Sequence, residues 1–420
     1  MLRNTDLLKE MLQRRQSGFS LEAGFYHSDD IFDAEMKGIF EYEWVFAGNI
    51  CEIPRPGDYL TIIVGRNNVI VTRDDDDEVR AFHNTCRHRG SLICLEKRGH
   101  ANQFVCPYHQ WTYDRRGNLV HAGEMPASFD RSKFPLKPVN VEVMEGMMYV
   151  CVSDDPPDFQ YFKEQVGPYI APHQPWRCKV AYEETIVEDA NWKLVIENNR
   201  ECYHCACAHP ELTYSLTATA LPDDPQADAY FSEVMPSKAR DWDALGLPHA
   251  PAPGGDKFRC IRLPFMNDAL SMTLDGGLAC RKLLGDLTDK DLGSVRMFHV
   301  PGNWNHFASD HIIHFSVVPI SPEKTLLTTK WLVHEDAVEG WDYNAENLAA
   351  VWQATNHQDS TLARNNHLGT RSVAYQPGPY AEPEFLLVQF TDWYAGMMER
   401  YLASTDTCQS SGSAENDYSA

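Results

Sequence analysis

The sequence predicts an α+β protein of two domains: a small all-β unit over about residues 45–155, then an α+β unit built on an antiparallel sheet. Three observations predict it. Short β-runs separated by turn residues fill the first unit. In the second, long helical patterns accompany strand-length apolar runs. An acidic, proline-bearing stretch, Asp154-Asp-Pro-Pro-Asp158, lies between them. The chain has 420 residues, 43% hydrophobic and 23% charged. That length suits two or three domains, and that usage excludes a mostly disordered chain.

Taken in order, Asp6 to Arg15 reads as a helix, and Asp30 to Tyr42 as a second with Ile31, Met36, Ile39 and Phe40 inward. This N-terminal segment, 1–44, is expected to pack on the second unit. Asp58 to Val64 and Asn68 to Thr72 flank Gly65-Arg-Asn-Asn, a hairpin signal. The acidic run Asp74 to Glu78 reads as a solvated turn. Further strands fit Glu78 to Asn84, Gln103 to Cys106 and Met147 to Val152. In the second unit, 156–403, a helical region is expected over Ala190 to His209. A mobile loop is expected over Asp241 to Asp256, around Pro251-Ala-Pro-Gly-Gly255. His311 to Ile320 and Thr325 to His334 read as antiparallel strands, Asn344 to Asn366 and Phe385 to Leu402 as helices. The tail, 404–420, is rich in Ser, Thr, Asp and Gly and reads as disordered. There is no internal repeat of fixed period.

Lys and Arg number 37 against 60 Asp and Glu, a formal charge of −23. Such a surface repels nucleic-acid phosphates and anionic membranes. It suits simple solubility, a basic partner, or salt adaptation, and the sequence does not choose. No stretch approaches the ~20 apolar residues of a membrane helix. Met1 to Gln16 lacks the apolar core of a signal peptide. The expectation is a cytoplasmic protein whose 12 cysteines stay reduced. No disulfide framework is expected, and cysteines spaced closely with histidines are read first as metal ligands.

Two constellations of such residues stand out. Cys86-Arg-His88 and Cys106-Pro-Tyr-His109 are separated by 17 residues. Two thiolates and two imidazoles from paired loops can bind one zinc or divide between two irons. Zinc fingers place both cysteines first and both histidines second, with a helix between. Here each loop carries one of each among strands, which is the ligand set of a Rieske [2Fe–2S] centre. Gly90 and Pro107 suit tight loops whose backbone N–H groups reach the sulfurs.

The second constellation is Glu201-Cys-Tyr-His204-Cys-Ala-Cys-Ala-His209-Pro210. Histidines five apart lie ~140° around a regular helix, so they converge only if the helix is distorted near Cys205 to Ala208. Cys202, Cys205 and Cys207 read either as a cluster motif or as small buried residues, and the spacing matches no ferredoxin. Farther on, Leu348, Trp352, Thr355 and Asp359 form the buried stripe of one helix, continuing to Leu362. A carboxylate on a buried stripe must be paired or bound to metal. His204, His209 and Asp359 together would make the 2-His-1-carboxylate triad of mononuclear iron(II) oxygenases.

The two constellations in this order resemble the α subunit of Rieske non-haem iron oxygenases, over nearly the whole chain. The stretch Asn191-Trp-Lys-Leu-Val-Ile-Glu-Asn-Asn-Arg-Glu-Cys-Tyr-His204 is similar to the quaternary-ammonium branch of that family. So are Cys86-Arg-His-Arg-Gly90, Thr355-Asn-His-Gln-Asp359 and Gln376-Pro-Gly-Pro-Tyr380. The resemblance implies a Rieske domain followed by a helix-grip-like catalytic domain. It implies one [2Fe–2S] cluster and one mononuclear Fe(II) per subunit, O2 as co-substrate, and NAD(P)H reaching the chain through a separate flavin/[2Fe–2S] reductase. No convincing GxGxxG is present to bind the nucleotide here. It also implies a head-to-tail homotrimer in which Glu201 bridges the two centres of neighbouring subunits. Ring-hydroxylating members usually carry Asp where this chain has Glu201, which favours the amine-oxidising branch.

The expected activity is hydroxylation of an N-methyl group, of glycine betaine first. Proline betaine demethylation and carnitine C–N cleavage are alternatives, and aromatic ring dioxygenation stands behind them. A quaternary ammonium group is recognised through aromatic faces. Tyr203, Phe298, Trp304 and Phe307 are the candidates, each also readable as core. Trp304, between Asn303 and Asn305 after Gly302, reads as a loop residue and leads. His306, Asp310 and His311 read as polar residues at a strand start rather than a third metal site. The sequence singles out no residue for a substrate carboxylate.

Overall fold

The computed structural model describes residues 4–216 and 229–412. The first unit holds β1 (Val45–Asn49), β2 (Asp58–Val64), β3 (Asn67–Arg73), β4 (Val79–His83), β5 (Arg98–His100), β6 (Phe104–Val105), β7 (Thr112–Tyr113), β8 (Leu119–His121), β9 (Pro138–Met144) and β10 (Met147–Cys151). They form a seven-stranded sheet, β1-β10-β9-β4-β3-β2-β5, and a three-stranded sheet, β6-β7-β8. The expected hairpin pairs Tyr59 with Thr72 and Val64 with Asn67. Its turn uses Gly65 at φ +58°, the left-handed region that glycine enters freely. Strand β3 is covered on both faces. Val69 and Val71 pack with Leu60 and Val64, and Ile70 packs with Phe82, Phe104 and Trp111 under the small sheet.

In the acidic run Asp75 to Glu78 are exposed, as expected of a solvated turn, but Asp74 corrects the expectation. Asp74 is fully buried, accepts the N–H groups of Asp76 and Glu78, and pairs with Arg80. Asp75 and Asp76 pair with Arg115 and Arg116. The run therefore clamps the β3–β4 turn to the β7–β8 turn.

The second unit holds β11 (Cys178–Glu188), β12 (Phe258–Leu263), β13 (Ser294–His299), β14 (Asn303–Phe307), β15 (Ile312–Ser321) and β16 (Lys324–His334). All six pair antiparallel in the order β11-β16-β15-β14-β13-β12. One face, with Phe258, Cys260, Met297, Phe307 and Leu332, packs against helix Gln160–Ile170 and Tyr149 of the first unit. The other, with Phe298, Trp304, Phe315 and Trp331, packs against helices Trp192–Arg200, Ala345–Gly369 and Phe385–Gly412 and the N-terminal helices. Alternation along each strand separates the two cores.

The N-terminal segment joins the helical side through a buried acid. Glu35, at the end of helix Asp29–Glu35, meets Lys193 Nζ at 2.5 Å and accepts from Trp192 Nε1 and Tyr394 Oη. Both charges are fully buried, and removing one partner from such a pair costs about 3–5 kcal/mol. Gly38 lets this segment approach the C-terminal helix, since a Cβ there would lie 2.8 Å from Tyr401 Cβ.

Two further expectations change. The loop expected from Asp241 begins inside helix Met235–Ala244, and its remainder is pinned, Tyr161 donating to Pro253 O and Ala252 N–H to Cys260 O. The tail expected to be disordered from Ser404 continues as helix to Gly412. Serine and threonine cost a helix at most about 0.7 kcal/mol each, so an established helix runs through them. Residues 413–420 lie outside the described residues. Among the described residues no helix is long and apolar enough to cross a membrane.

Candidate metal centres and substrate cavity

The two Cys/His loops of the first unit are copies of one turn. Gly90 N–H donates to Cys86 O at 2.9 Å, and Gln110 N–H to Cys106 O at 3.0 Å. Cys86 N–H then reaches Ser91 O and Cys106 N–H reaches Trp111 O. The closing residue is left-handed in both, Gly90 at φ +79° and Gln110 at +58°. Both cysteines are buried while His88 and His109 stand exposed above them, their rings 4.6 Å apart. Trp111 stacks beneath His88 at 4.9 Å. Burial raises the Cys86 pKa, and the Tyr113 hydroxyl and the His88 N–H beside the sulfur oppose it. Two inner sulfurs, that of Cys86 with donors aimed at it, and two outer imidazoles fit a [2Fe–2S] group with mixed ligation.

The second constellation converges because the chain breaks twice. Helix Trp192–Arg200 ends at Glu201, which is extended. A single turn, Cys205–Ala208, follows, and His209 breaks out of helical geometry before Pro210 starts the next turn. His204 Nε2 and His209 Nε2 are thereby 3.0 Å apart. Asp359 Oδ1, from helix Ala345–Gly369, lies 2.9 Å from His209 Nε2 and 3.3 Å from His204 Nε2. Ligands at about 2.1 Å from one ion and at right angles lie about 3.0 Å apart. Asp359 Oδ1 is shut off from solvent and lacks a well-aligned hydrogen bond.

The outer nitrogens are fixed. His204 Nδ1 meets Glu201 Oε1 at 2.5 Å, and His209 Nδ1 meets Gln358 Oε1 at 2.7 Å. Nδ1–H donation on both rings leaves both Nε2 lone pairs facing inward, the arrangement of a histidine–metal site. Burial opposes charge on His204, but Asp359 and Glu201 outweigh it and lift its pKa to about 9. His209 is raised too, against burial, by Asp359. Asp359 is held below the usual carboxylate range, against burial, by the two imidazoles. The cluster thus attracts positive charge, and its donor set fits iron(II).

Cys202 and Cys205 form a disulfide beside this cluster, contrary to the expectation of reduced thiols; the two lie one turn apart in the loop. Cys205 is therefore no thiolate ligand, and Cys207 is exposed. The Asp359 stripe ends early, Leu362 being exposed and Ala363 buried instead.

A cavity of ≈ 450 Å³ opens onto the cluster, bounded by Leu212, Leu216, Ile261, Phe298, Trp304, His306 and Trp352. That size is usual for a small-molecule site. Trp304 lines it, but from the middle of β14 rather than from a loop. Its Asn neighbours are accommodated inside the sheet, Asn303 donating to Phe315 O and Asn305 bonded to His314. Phe315 covers one Trp304 face at 5.0 Å. Phe298 lines the cavity with the Arg200 guanidinium 3.8 Å over its ring. Phe307 falls three residues beyond Trp304, hence on the opposite face of the sheet, in the other core. Tyr203 is 50% exposed and lies outside the cavity. His306 faces the cavity and stays neutral through burial, while Asp310 and His311 are buried and bonded together. Sequence reasoning missed Arg200, Arg259, Arg296 and Gln358. The alternation in Phe258–Leu263, with Arg259, Ile261 and Leu263 on the cavity side, was the available signal.

Comparison with known proteins agrees with this geometry. Residues 43–142 match the Rieske [2Fe-2S] domain, and residues 175–400 match the catalytic domain of the ring hydroxylating alpha subunit. The glycine betaine monooxygenase oxygenase subunit of Chromohalobacter salexigens is 46% identical over 94% of this chain and 89% of its own. That of Pseudomonas aeruginosa is 46% identical over 93% and 91%. The carnitine monooxygenase oxygenase subunit of Escherichia coli is 30% identical over 48% of this chain and 55% of its own. Among solved structures, a quaternary ammonium Rieske monooxygenase in complex with L-carnitine aligns with a TM-score of 0.69 at 20% identity, over 93% of this chain and 98% of that one. With two domain models in series and relatives aligned almost end to end, this chain belongs to the Rieske oxygenases of the ring-hydroxylating α-subunit family, which carry a [2Fe–2S] cluster and a mononuclear iron.

Proposed function

We propose that the chain is a terminal oxygenase component that hydroxylates an N-methyl group of glycine betaine, giving dimethylglycine and formaldehyde. The observation that carries this reading is the 46% identity, nearly end to end, with glycine betaine monooxygenase oxygenase subunits. Cys86, His88, Cys106 and His109 would hold the cluster, and His204, His209 and Asp359 the mononuclear iron. The chemistry those groups supply when bound is two-electron activation of O2 and delivery of one oxygen atom to a C–H bond.

The chain's own residues do the rest. Glu201 and Gln358 hold the two histidines with both Nε2 atoms inward. Trp304 offers a ring face to a trimethylammonium group, which cannot donate a hydrogen bond. Leu212, Leu216 and Ile261 surround the methyl groups with apolar surface and limit water. One O2, two electrons and two protons yield one hydroxylated methyl and one water. The N–CH2OH group then loses its hydroxyl proton, its C–N bond breaks, and the electron pair returns to nitrogen as formaldehyde leaves.

The electrons come from NAD(P)H through a separate flavin/[2Fe–2S] reductase, and a basic docking face on it suits a chain of net charge −23. The assembly in this reading is a cytoplasmic head-to-tail homotrimer, a heterologous contact that closes at three. Glu201 there links its own His204 to a cluster histidine of the neighbouring subunit.

The test is product analysis with iron-loaded protein, a surrogate reductase, NADH and O2 across glycine betaine, proline betaine, carnitine, choline and naphthalene. Formaldehyde and dimethylglycine in equal amounts from glycine betaine are expected. Trimethylamine from carnitine, or naphthalene oxidation alone, would move the chain to another branch of its family.

A further inference from the structure

The cavity carries more positive charge than the iron site explains. Three guanidinium groups line it: Arg200 at the end of helix Trp192–Arg200, Arg259 on β12 and Arg296 on β13. Register puts them on one wall. Arg259 is opposite Phe298, which is opposite Trp304, and Arg296 lies between Ile261 and His306 in the next row. Arg200 reaches the same wall from the helix side, over Phe298.

Among the described residues none of the three has a hydrogen-bond or ion-pair partner. Arg200 Nε and Arg296 Nε and Nη2 are shut off from solvent without one. Arg262, on the opposite face of β12, is fully buried and donates to Pro248 O and Leu292 O, which leaves its Nη2 alone without a partner. Among the described residues the acids of the cavity are committed elsewhere, Glu201 to His204 and Asp359 to both histidines. Burial and the neighbouring Arg259 charge pull the Arg200 pKa down to about 9, and burial lowers Arg259 and Arg296 as well. Partly buried, mutually repelling cations without an acidic partner are costly unless an anion completes them. A guanidinium fork matches a carboxylate.

We infer that Arg200, Arg259 and Arg296 form the anion-holding end of the cavity and bind the substrate's carboxylate, with Trp304 and the iron ligands at the ammonium end. This rests on the proposed function and deepens it. Three guanidinium groups repel a bare quaternary ammonium ion but accept a zwitterion. The site thus selects betaines over choline, which has the same trimethylammonium head and a neutral tail.

The experiment measures binding and turnover of glycine betaine and choline by the full-length, iron-loaded protein, wild type against Arg200→Gln, Arg259→Gln and Arg296→Gln. Loss of a charge-assisted hydrogen bond weakens binding by about 10–100-fold. KM for glycine betaine should rise by that factor in at least two variants, with kcat changed far less and the choline values unmoved or improved. Arg→Lys should recover part of the loss. Where a variant fails to fold, the wild-type protein decides alone: the methyl ester of glycine betaine and choline should both bind at least about 10-fold more weakly than glycine betaine. Equal binding of acid and ester, or an unmoved KM in all three folded variants, overturns the inference. Formaldehyde from glycine betaine with an unmoved KM would remove the anchor and leave the function. Carboxylate binding that these variants weaken, without formaldehyde, would keep the anchor and remove the function.

Discussion

Asp359→Ala is expected to abolish turnover while leaving the visible absorption of the cluster unchanged. Asp359 supplies a carboxylate oxygen within 3.3 Å of both inward-facing imidazole nitrogens. Without it two neutral nitrogens remain, too few to hold iron(II) in a facial site. The Cys/His loops belong to the two sheets of the first unit, one following β4 and the other joining β6 to β7, so they do not depend on this side chain. Alanine is the best residue for a helix interior, so helix Ala345–Gly369 should survive the change. Iron should fall from about three to about two atoms per chain, the count left by a two-iron cluster alone. Wild-type turnover, or retention of the third iron, would remove Asp359 from the ligand set.

Glu201→Gln is expected to keep both metals and still slow turnover about 10–100-fold, the usual cost of altering a group that orients a metal ligand. Glutamine preserves length and can still accept from His204 Nδ1, so the ring need not turn. It removes the negative charge that Glu201 holds 2.5 Å from His204. In the trimer reading that charge also carries the link to the next subunit. The diagnostic readout is oxidation of the pre-reduced cluster on mixing with substrate and O2, followed by absorption. A merely structural role would leave that rate unchanged while lowering iron content. A slowed rate at full iron content supports the bridge.

What the sequence could reveal follows from where local pattern and tertiary packing agree. The β2–β3 hairpin and the β15–β16 pair lie within a residue or two of the expected strands, because turn residues and apolar alternation coincide there. The Cys/His loops were legible because their spacing is short and repeated. The convergence of His204 and His209 was legible as a required distortion, and two helix breaks supply it. Trp304 was misplaced because Gly302, Asn303 and Asn305 signal a loop, whereas only Gly302 lies in a turn and buried side-chain bonds hold the two asparagines in a central strand. Phe307 and Tyr203 could not be sorted from the cavity wall without strand register and exposure. Asp74 looked solvated because its partners, Arg80 and Arg116, lie on other strands and turns. The guanidinium wall was hidden for the same reason, since a helix end and two strands bring it together.

The most direct test of the central claim is one turnover of pre-reduced, iron-loaded protein with 13C-methyl glycine betaine and O2, without reductase, followed by NMR. The account predicts labelled formaldehyde and dimethylglycine in equal amounts, both absent from Asp359→Ala. Oxidation of the protein with the labelled betaine recovered intact would contradict it.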